Sequence, residues 1–200
     1  MQPVAPPPFV NAAQSWAFWG VYVIVFAPEA IRGFRLRAKR STNRDDRGSY
    51  VILVACVYLA LGLAFFCAFA ATWAQIISGR EAFFVLGLAL MLAGAALRIW
   101  TIRLLGKWFT FDVATQEGQT ICKDGPYKLI RHSSYTAGLI SIAGVALALG
   151  SWLSVLVAVG VASVGYAYRV FVEERVLCAR LGDPYRAYMA RTSRFIPFTI

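Results

Sequence analysis

Three stretches of this chain contain no Asp, Glu, Lys or Arg: residues 1–28, 48–79 and 132–168. A bilayer's hydrocarbon core is about 30 Å thick and takes roughly 20 helical residues to cross. The second blank is long enough for one crossing and the third for two. With 59% hydrophobic and 15% charged residues, the composition excludes a water-soluble globule. Its 14% aromatic content equally excludes a disordered chain.

The net charge of +10 raises the question of nucleic acid. Placement of the cations answers it: seven lie from Arg32 to Arg47, six from Arg98 to Arg131 and six from Arg169 to Arg194, leaving Arg80 alone. Once spans are drawn through the blanks, these 19 of the 20 basic residues gather on one face. The positive-inside rule makes that face cytoplasmic, and anionic lipid headgroups rather than nucleic acid are its expected partners.

The expected fold is an all-α integral-membrane domain of about five helices over residues 1–200, with three spans and a basic loop in 1–105 and a catalytic half in 106–200. Pro3, Pro6, Pro7 and Pro8 form an exposed lead-in. No basic n-region precedes the apolar stretch, so the N-terminus reads as an external tail before a retained helix. The first span runs Ala12–Ile31, with Trp16, Trp19 and Tyr22 as an interfacial belt. The second runs Tyr50–Ile77, and Ser78–Glu81 turns it into an antiparallel third span, Ala82–Leu105. Gly87, Gly94 and nearby alanines give that third helix a face for close approach, and Arg98 and Arg103 snorkel at its end. A helical hairpin, Tyr135–Leu149 and Leu153–Phe171, follows. Gly182-Asp183-Pro184 then stops one helix and starts an interfacial one bearing Tyr185, Tyr188 and Met189. This order puts the N-terminus outside and the C-terminus inside. Cys56, Cys67, Cys122 and Cys178 have neither zinc-site nor disulfide-framework spacing, and no metal site is expected.

Polar chemistry is confined to two places at the cytoplasmic boundary. Arg131-His132-Ser133-Ser134-Tyr135 stands where the 106–134 connection re-enters the membrane, and it contains the single histidine. A Gly-Pro turn at 125–126 would bring Tyr127 and Arg131 onto one face before Ser133 or Ser134 caps the next helix. His132 and Tyr135 are then either interface residues bonded to nearby carbonyls or part of a pocket. The second place is Arg169, Glu173 and Glu174 near the end of the last span. Arg169 and Glu173 share a helical face, as a simple ion pair or as two walls of a site. Glu174 points about 100° away, toward Arg175 or a neighbouring helix.

The run Gly125-Pro126-Tyr127-Lys128-Leu129-Ile130-Arg131-His132-Ser133-Ser134-Tyr135 resembles the G-P-Y-x-x-x-R-H-P-x-Y signature of isoprenylcysteine carboxyl methyltransferases. Arg169-x-x-x-Glu173-Glu174-x-x-Leu177, then Gly182-Asp183-x-Tyr185-x-x-Tyr188 and Arg194-x-x-Pro197, resembles that family's closing pattern in order and spacing. The likeness covers about Arg98 to Pro197. It departs at Ser133, where the family has Pro, at Ala137-Gly138, where the family's glycine stands one residue earlier, and at Gln119, where His is common.

The resemblance implies a multi-pass enzyme with a cytoplasm-facing pocket for S-adenosyl-L-methionine and a lipophilic, prenylcysteine-like acceptor taken from the bilayer. By the same resemblance Gln119, Thr120, Ile121, Cys122, Tyr127, His132, Ser133, Ser134, Tyr135 and Glu173 would line the cofactor. Arg169 would bind the acceptor carboxylate and, with Glu173, form the catalytic pair. The chemistry suits the residues: a carboxylate is already nucleophilic at neutral pH, and Arg offers it a two-pronged clamp. Rival readings are a phospholipid N-methyltransferase, an NADPH-dependent sterol-type reductase with its similar R-H-x-x-Y segment, and a non-enzymatic scaffold. Oligomeric state is not legible.

Overall fold

The computed structural model describes residues 9, 11–37, 48–109, 118 and 120–197, with the side chains of the first helix described as far as Ile31. Among these residues the fold is helical: α1 (Ala12–Arg37), α2 (Ser49–Ala70), α3 (Arg80–Leu105), α4 (Ser133–Ala148), α5 (Trp152–Leu181) and α6 (Asp183–Met189). Regular extended pairing is limited to two isolated bridges among them, Gln75 with Ser151 and Ile130 with Ser193.

The chain is an all-α membrane protein. Among the described residues three helical stretches are long and apolar enough to cross a bilayer: α2, α3 with the short 3-10 turn that continues it to Trp108, and α5. The other two expected spans differ for separate reasons. α4 has 16 residues, about 24 Å at 1.5 Å per residue, and most of its side chains are buried among its neighbours. α1 is longer, at 26 residues, but dilutes its apolar run with Gln14, Ser15, Pro28 and Glu29. The outward faces suit lipid: Phe66 and Phe69 of α2 and Leu156 and Val164 of α5 are all exposed.

Two helix ends correct the sequence expectation. α2 leaves helical geometry at Ala71 rather than Ile77, because the chain there turns to pair with the α4–α5 turn: the Ile76 N–H donates to Gly150 O at 2.8 Å. The longer connection also removes the tight α2–α3 hairpin; α2 packs chiefly on α5 and α3 on α4. The last span, drawn to Phe171, continues as one helix for ten more residues to Leu181, up to the Gly182 stop that the sequence indicates. Its charged last turns stay helical until Gly182 adopts φ 62°, a left-handed value that glycine takes without a Cβ penalty, and Pro184 in the first turn of α6 then starts the new helix.

α3 and α4 meet through their backbones. A Cβ on Gly87 would lie 2.5 Å from Ala148 N, and one on Gly144 would lie 2.7 Å from Gly87 O. The small-residue face expected on α3 is therefore its contact with α4. In lipid, where apolar helices gain little from mutual burial, such close approach supplies the packing. At the same end of the molecule Phe18, Trp19 and Tyr22 of α1 gather around Phe65 of α2, with Trp19 and Phe65 stacked at 5.6 Å. Trp16 remains exposed, as an interfacial belt residue should be.

Candidate active site

The polar re-entry segment is fixed by the C-terminal residues of the chain. Residues 125–128 form a 3-10 turn, and the following residues pair with 193–194: Arg131 N–H donates to Ser193 O at 2.9 Å, Ser193 N–H to Leu129 O at 2.9 Å and His132 N–H to Arg194 O at 3.2 Å. His132 sits at the N-cap of α4 without a side-chain cap. Neither serine caps this helix. Ser133 instead donates its hydroxyl backward to Ile130 O, which satisfies a turn carbonyl.

A cavity of about 690 Å³ opens between this segment, the last turns of α5 and the inward faces of α1, α2 and α3. Thr120, Ile121, Cys122, Tyr127, His132, Ser134, Tyr135, Arg169 and Glu173 all line it. Ser133 does not: it is buried beneath the turn. Gln119 lies outside the described residues.

Arg169 and Glu173 are joined through a third residue. Tyr135 Oη donates to Glu173 Oε2 at 2.6 Å, while Arg169 Nε donates to the same Tyr135 hydroxyl at 3.2 Å. Arg169 Nη1 donates to Ser49 Oγ at 2.7 Å, so the first residue of α2 also holds the guanidinium. Only 3% of Arg169 is exposed, and a buried guanidinium persists where such partners fix its orientation. α4 and α5 thus meet at one tyrosine hydroxyl in the cavity wall, and α2 joins them through Arg169.

Glu174 has a different task. Its carboxylate accepts from Arg131 Nε at 2.7 Å and from Arg194 Nη2 at 2.9 Å, and lies 3.2 Å from His132 Nε2. The His132 ring stacks on Tyr135 at 5.6 Å with planes 8° apart. One carboxylate therefore ties α5 to the re-entry segment and to the C-terminal residues, and the stacked histidine carries that order to Tyr135. Glu173 faces the cavity; Glu174 braces it.

The cavity wall also carries Tyr127, Tyr185 and Tyr188. The α6 tyrosines pack against the bundle rather than toward headgroups, and Tyr188 Oη donates to Tyr127 O at 2.8 Å. Tyr127 Oη is buried beside Thr101 but has no partner in hydrogen-bonding geometry; the Thr101 hydroxyl itself donates to Arg98 O. Burial is the main reason all three phenols are pushed above the usual tyrosine range, so they remain neutral donors at physiological pH. Beyond this rim the cavity becomes apolar, with Val25 and Phe26 of α1 facing Leu53, Val57 and Leu61 of α2.

Sequence reading missed the α1–α2 wall, the Ser49 contact, the three partners of Glu174, and the ion pair of Arg98 with Glu29 at 2.9 Å. Two signals were present: an acid directly after Pro28 at the end of the first charge-free stretch, and an arginine within the third span. Ionised groups at such depth require partners, although spacing alone does not say which.

The sequence profile of the family described as phospholipid methyltransferase matches residues 82–183, about half of the chain. The chain is also similar to protein-S-isoprenylcysteine O-methyltransferase B of Arabidopsis thaliana, 29% identical over 114 residues, an alignment that covers 56% of this chain and 58% of that protein.

Proposed function

This chain belongs to the phospholipid methyltransferase family, and from that premise we propose that it is an integral-membrane enzyme that uses S-adenosyl-L-methionine to methylate a lipophilic acceptor, most specifically the carboxylate of a prenylcysteine-like molecule. The observation that carries this reading is the composition of the single cavity that holds Arg169, Glu173, Tyr135 and Tyr127: polar and aromatic at one end, apolar at the other. Such a site takes a charged reacting group and its hydrocarbon tail together. α1 and α4 complete a five-helix membrane domain, with the N-terminus outside and the site facing the cytoplasm.

The residues fit the cofactor. Tyr127 presents a buried hydroxyl without a partner, Glu173 presents a carboxylate to a cationic ligand, and the faces of Tyr127 and Tyr135 favour positive charge by about 0.5–2 kcal/mol. Thr120, Ile121, Cys122, His132 and Ser134 complete the cofactor wall in this reading. S-adenosylmethionine, when bound, supplies a methyl group on a positively charged sulfur that a carboxylate can displace without prior deprotonation. Arg169 holds the acceptor carboxylate by its fork of N–H donors. The Tyr135 hydroxyl keeps Arg169 and Glu173 at fixed spacing, and the buried walls exclude water, so alignment and desolvation carry the rate.

A phospholipid amine is the second acceptor class, favoured by the description of the family itself. An amine must lose its proton before attack, and Glu173 is the carboxylate placed to take it. Calorimetric titration of the purified protein with S-adenosylmethionine and, in parallel, NADPH tests the cofactor, with Glu173→Ala as control. Saturable S-adenosylmethionine binding that is lost in the variant is expected. NADPH binding alone would transfer the site to reductase chemistry, and binding of neither by folded protein would leave a scaffold. Methyl transfer to N-acetyl-S-farnesylcysteine rather than phosphatidylethanolamine then separates the acceptors.

A further inference from the structure

Arg98 was expected to snorkel out of the third span, yet its guanidinium turns inward and bonds in two directions. Nη2 pairs with Glu29 Oε2 of α1 at 2.9 Å, while Nη1 donates to Ser134 O at 2.9 Å and to Ser134 Oγ at 3.2 Å in the first turn of α4. The ion pair is largely shielded, with side-chain exposures of 18% and 28%. Glu29, Arg98 and Ser134 all line the cavity.

The two partners belong to different walls of that cavity. Glu29 ends the α1 wall, where Val25 and Phe26 face the apolar compartment; Ser134 stands beside His132 and Tyr135, which are tied to Glu174 and Glu173. α1 is pinned at its far end by the aromatic cluster around Phe65, whereas its near end contains Pro28, whose missing N–H weakens the helix just before Glu29. α3, by contrast, is seated on α4 through Gly87 and Gly94. Arg98 therefore reaches from a fixed helix to two segments that need fixing. Its planar fork offers separate nitrogens to the two partners in fixed directions, a geometry that the compact charge of a lysine ammonium lacks.

We propose that Arg98 is a positioning residue that sets both walls of the cavity, holding α1 against the hydrocarbon chain of the acceptor through Glu29 and holding the first turn of α4 beside the cofactor through Ser134. The roles of the two walls rest on the function proposed above; the coupling itself does not, and the two are tested separately.

The coupling is read by hydrogen exchange in the ligand-free protein in lipid nanodiscs. Glu29→Ala is expected to speed exchange about tenfold in residues 22–31 while leaving 130–136 unchanged, since charge-assisted bonds of this kind are worth about a factor of ten or more. Arg98→Lys, which keeps the charge for Glu29 but loses the fork, speeds 130–136 and spares 22–31; Arg98→Ala speeds both. Equal loosening of both segments by either of the first two variants overturns the proposal, and that pair decides it even if Arg98→Ala does not fold. The division of labour is read with S-adenosylmethionine and N-acetyl-S-farnesylcysteine. Glu29→Ala raises the acceptor KM several-fold with an unchanged S-adenosylmethionine Kd, and Arg98→Lys weakens S-adenosylmethionine about tenfold with acceptor KM held. Matching losses of both affinities in both variants overturn the assignment of walls. Wild-type protein that uses neither compound refutes the functional reading, while the exchange result still decides the coupling.

Discussion

α3 and α4 join in two ways along their shared length. At one end Gly87, Gly144 and Ala148 bring the backbones so close that a Cβ on either glycine would strike main-chain atoms; at the other, Arg98 bridges to Ser134 beside a cavity of about 690 Å³. The first joint is dry and continuous. The second is a few directed bonds around space. Close backbone packing supplies van der Waals contact where lipid removes the hydrophobic incentive, and it anchors α3 and α4 at the end remote from the cavity. Polar groups at the cavity end then take over the job of fixing positions, which side-chain packing cannot do across a void.

If that division holds, damage at the two ends has different signatures, and the largest stability effect comes from the brace at the cavity end. Glu174→Ala leaves Arg131 with a side-chain exposure of 9% and no carboxylate partner at that position. Loss of one member of a buried pair costs about 3 kcal/mol or more; thermal unfolding in detergent should show it, with Glu174→Gln intermediate because an amide oxygen still accepts. A Glu174→Ala protein as stable as wild type would remove the brace from the argument. At the dry end, Gly87→Ala should cost about 2 kcal/mol, since the added methyl meets backbone rather than a movable side chain. It should leave S-adenosylmethionine affinity unchanged in the protein that remains folded. A large affinity loss with little unfolding would show that the ends are not separable.

How much of this contrast was legible in the sequence depends on the range of the interaction. The charge-free blanks located α2, α4 and α5, and the small residues of α3 announced a close contact, because both signals are local. Glu173 and Tyr135 were singled out for the same site, and they meet at 2.6 Å. Gly182-Asp183-Pro184 marked where α5 stops, but the apolar span was drawn only to Phe171, because Arg169, Glu173 and Glu174 read as its limit, whereas their partners lie on other segments and the helix goes on. Arg169 with Ser49, Arg98 with Glu29 and Glu174 with Arg131 are contacts between residues far apart in the chain. Spacing along one helix identifies a face, not what stands opposite.

Smaller effects test the chemistry within the cavity end. Arg169→Lys keeps a positive charge near Tyr135 and Ser49 but loses the planar fork. Under the carboxylate-clamp reading it should lower kcat/KM for N-acetyl-S-farnesylcysteine about tenfold, equivalent to about 1.4 kcal/mol of transition-state binding, with little change in S-adenosylmethionine Kd. Equal losses in both would place Arg169 in general pocket order rather than at the acceptor.

Tyr127→Phe is the finest probe, because it asks what a buried hydroxyl is for. In the ligand-free protein Tyr127 Oη has no hydrogen-bond partner and is held away from water, while the Tyr188 hydroxyl donates to the Tyr127 carbonyl and not to its phenol. Removing an unsatisfied buried hydroxyl relieves a desolvation cost, so the Phe variant should unfold at the same temperature as wild type or slightly above it, a gain of at most about 1 kcal/mol. Raised above the usual tyrosine range chiefly by burial, the phenol keeps its proton at physiological pH and can only gain by donating it to a ligand. The same substitution should therefore weaken S-adenosylmethionine binding about threefold to tenfold, the worth of one hydrogen bond, and the loss should be flat between pH 6 and pH 8. Stability and affinity move in opposite directions only if the hydroxyl is reserved for a ligand. A variant that is destabilised with its affinity intact would instead make Thr101 the true partner of Tyr127, and would return this wall of the cavity to structural duty.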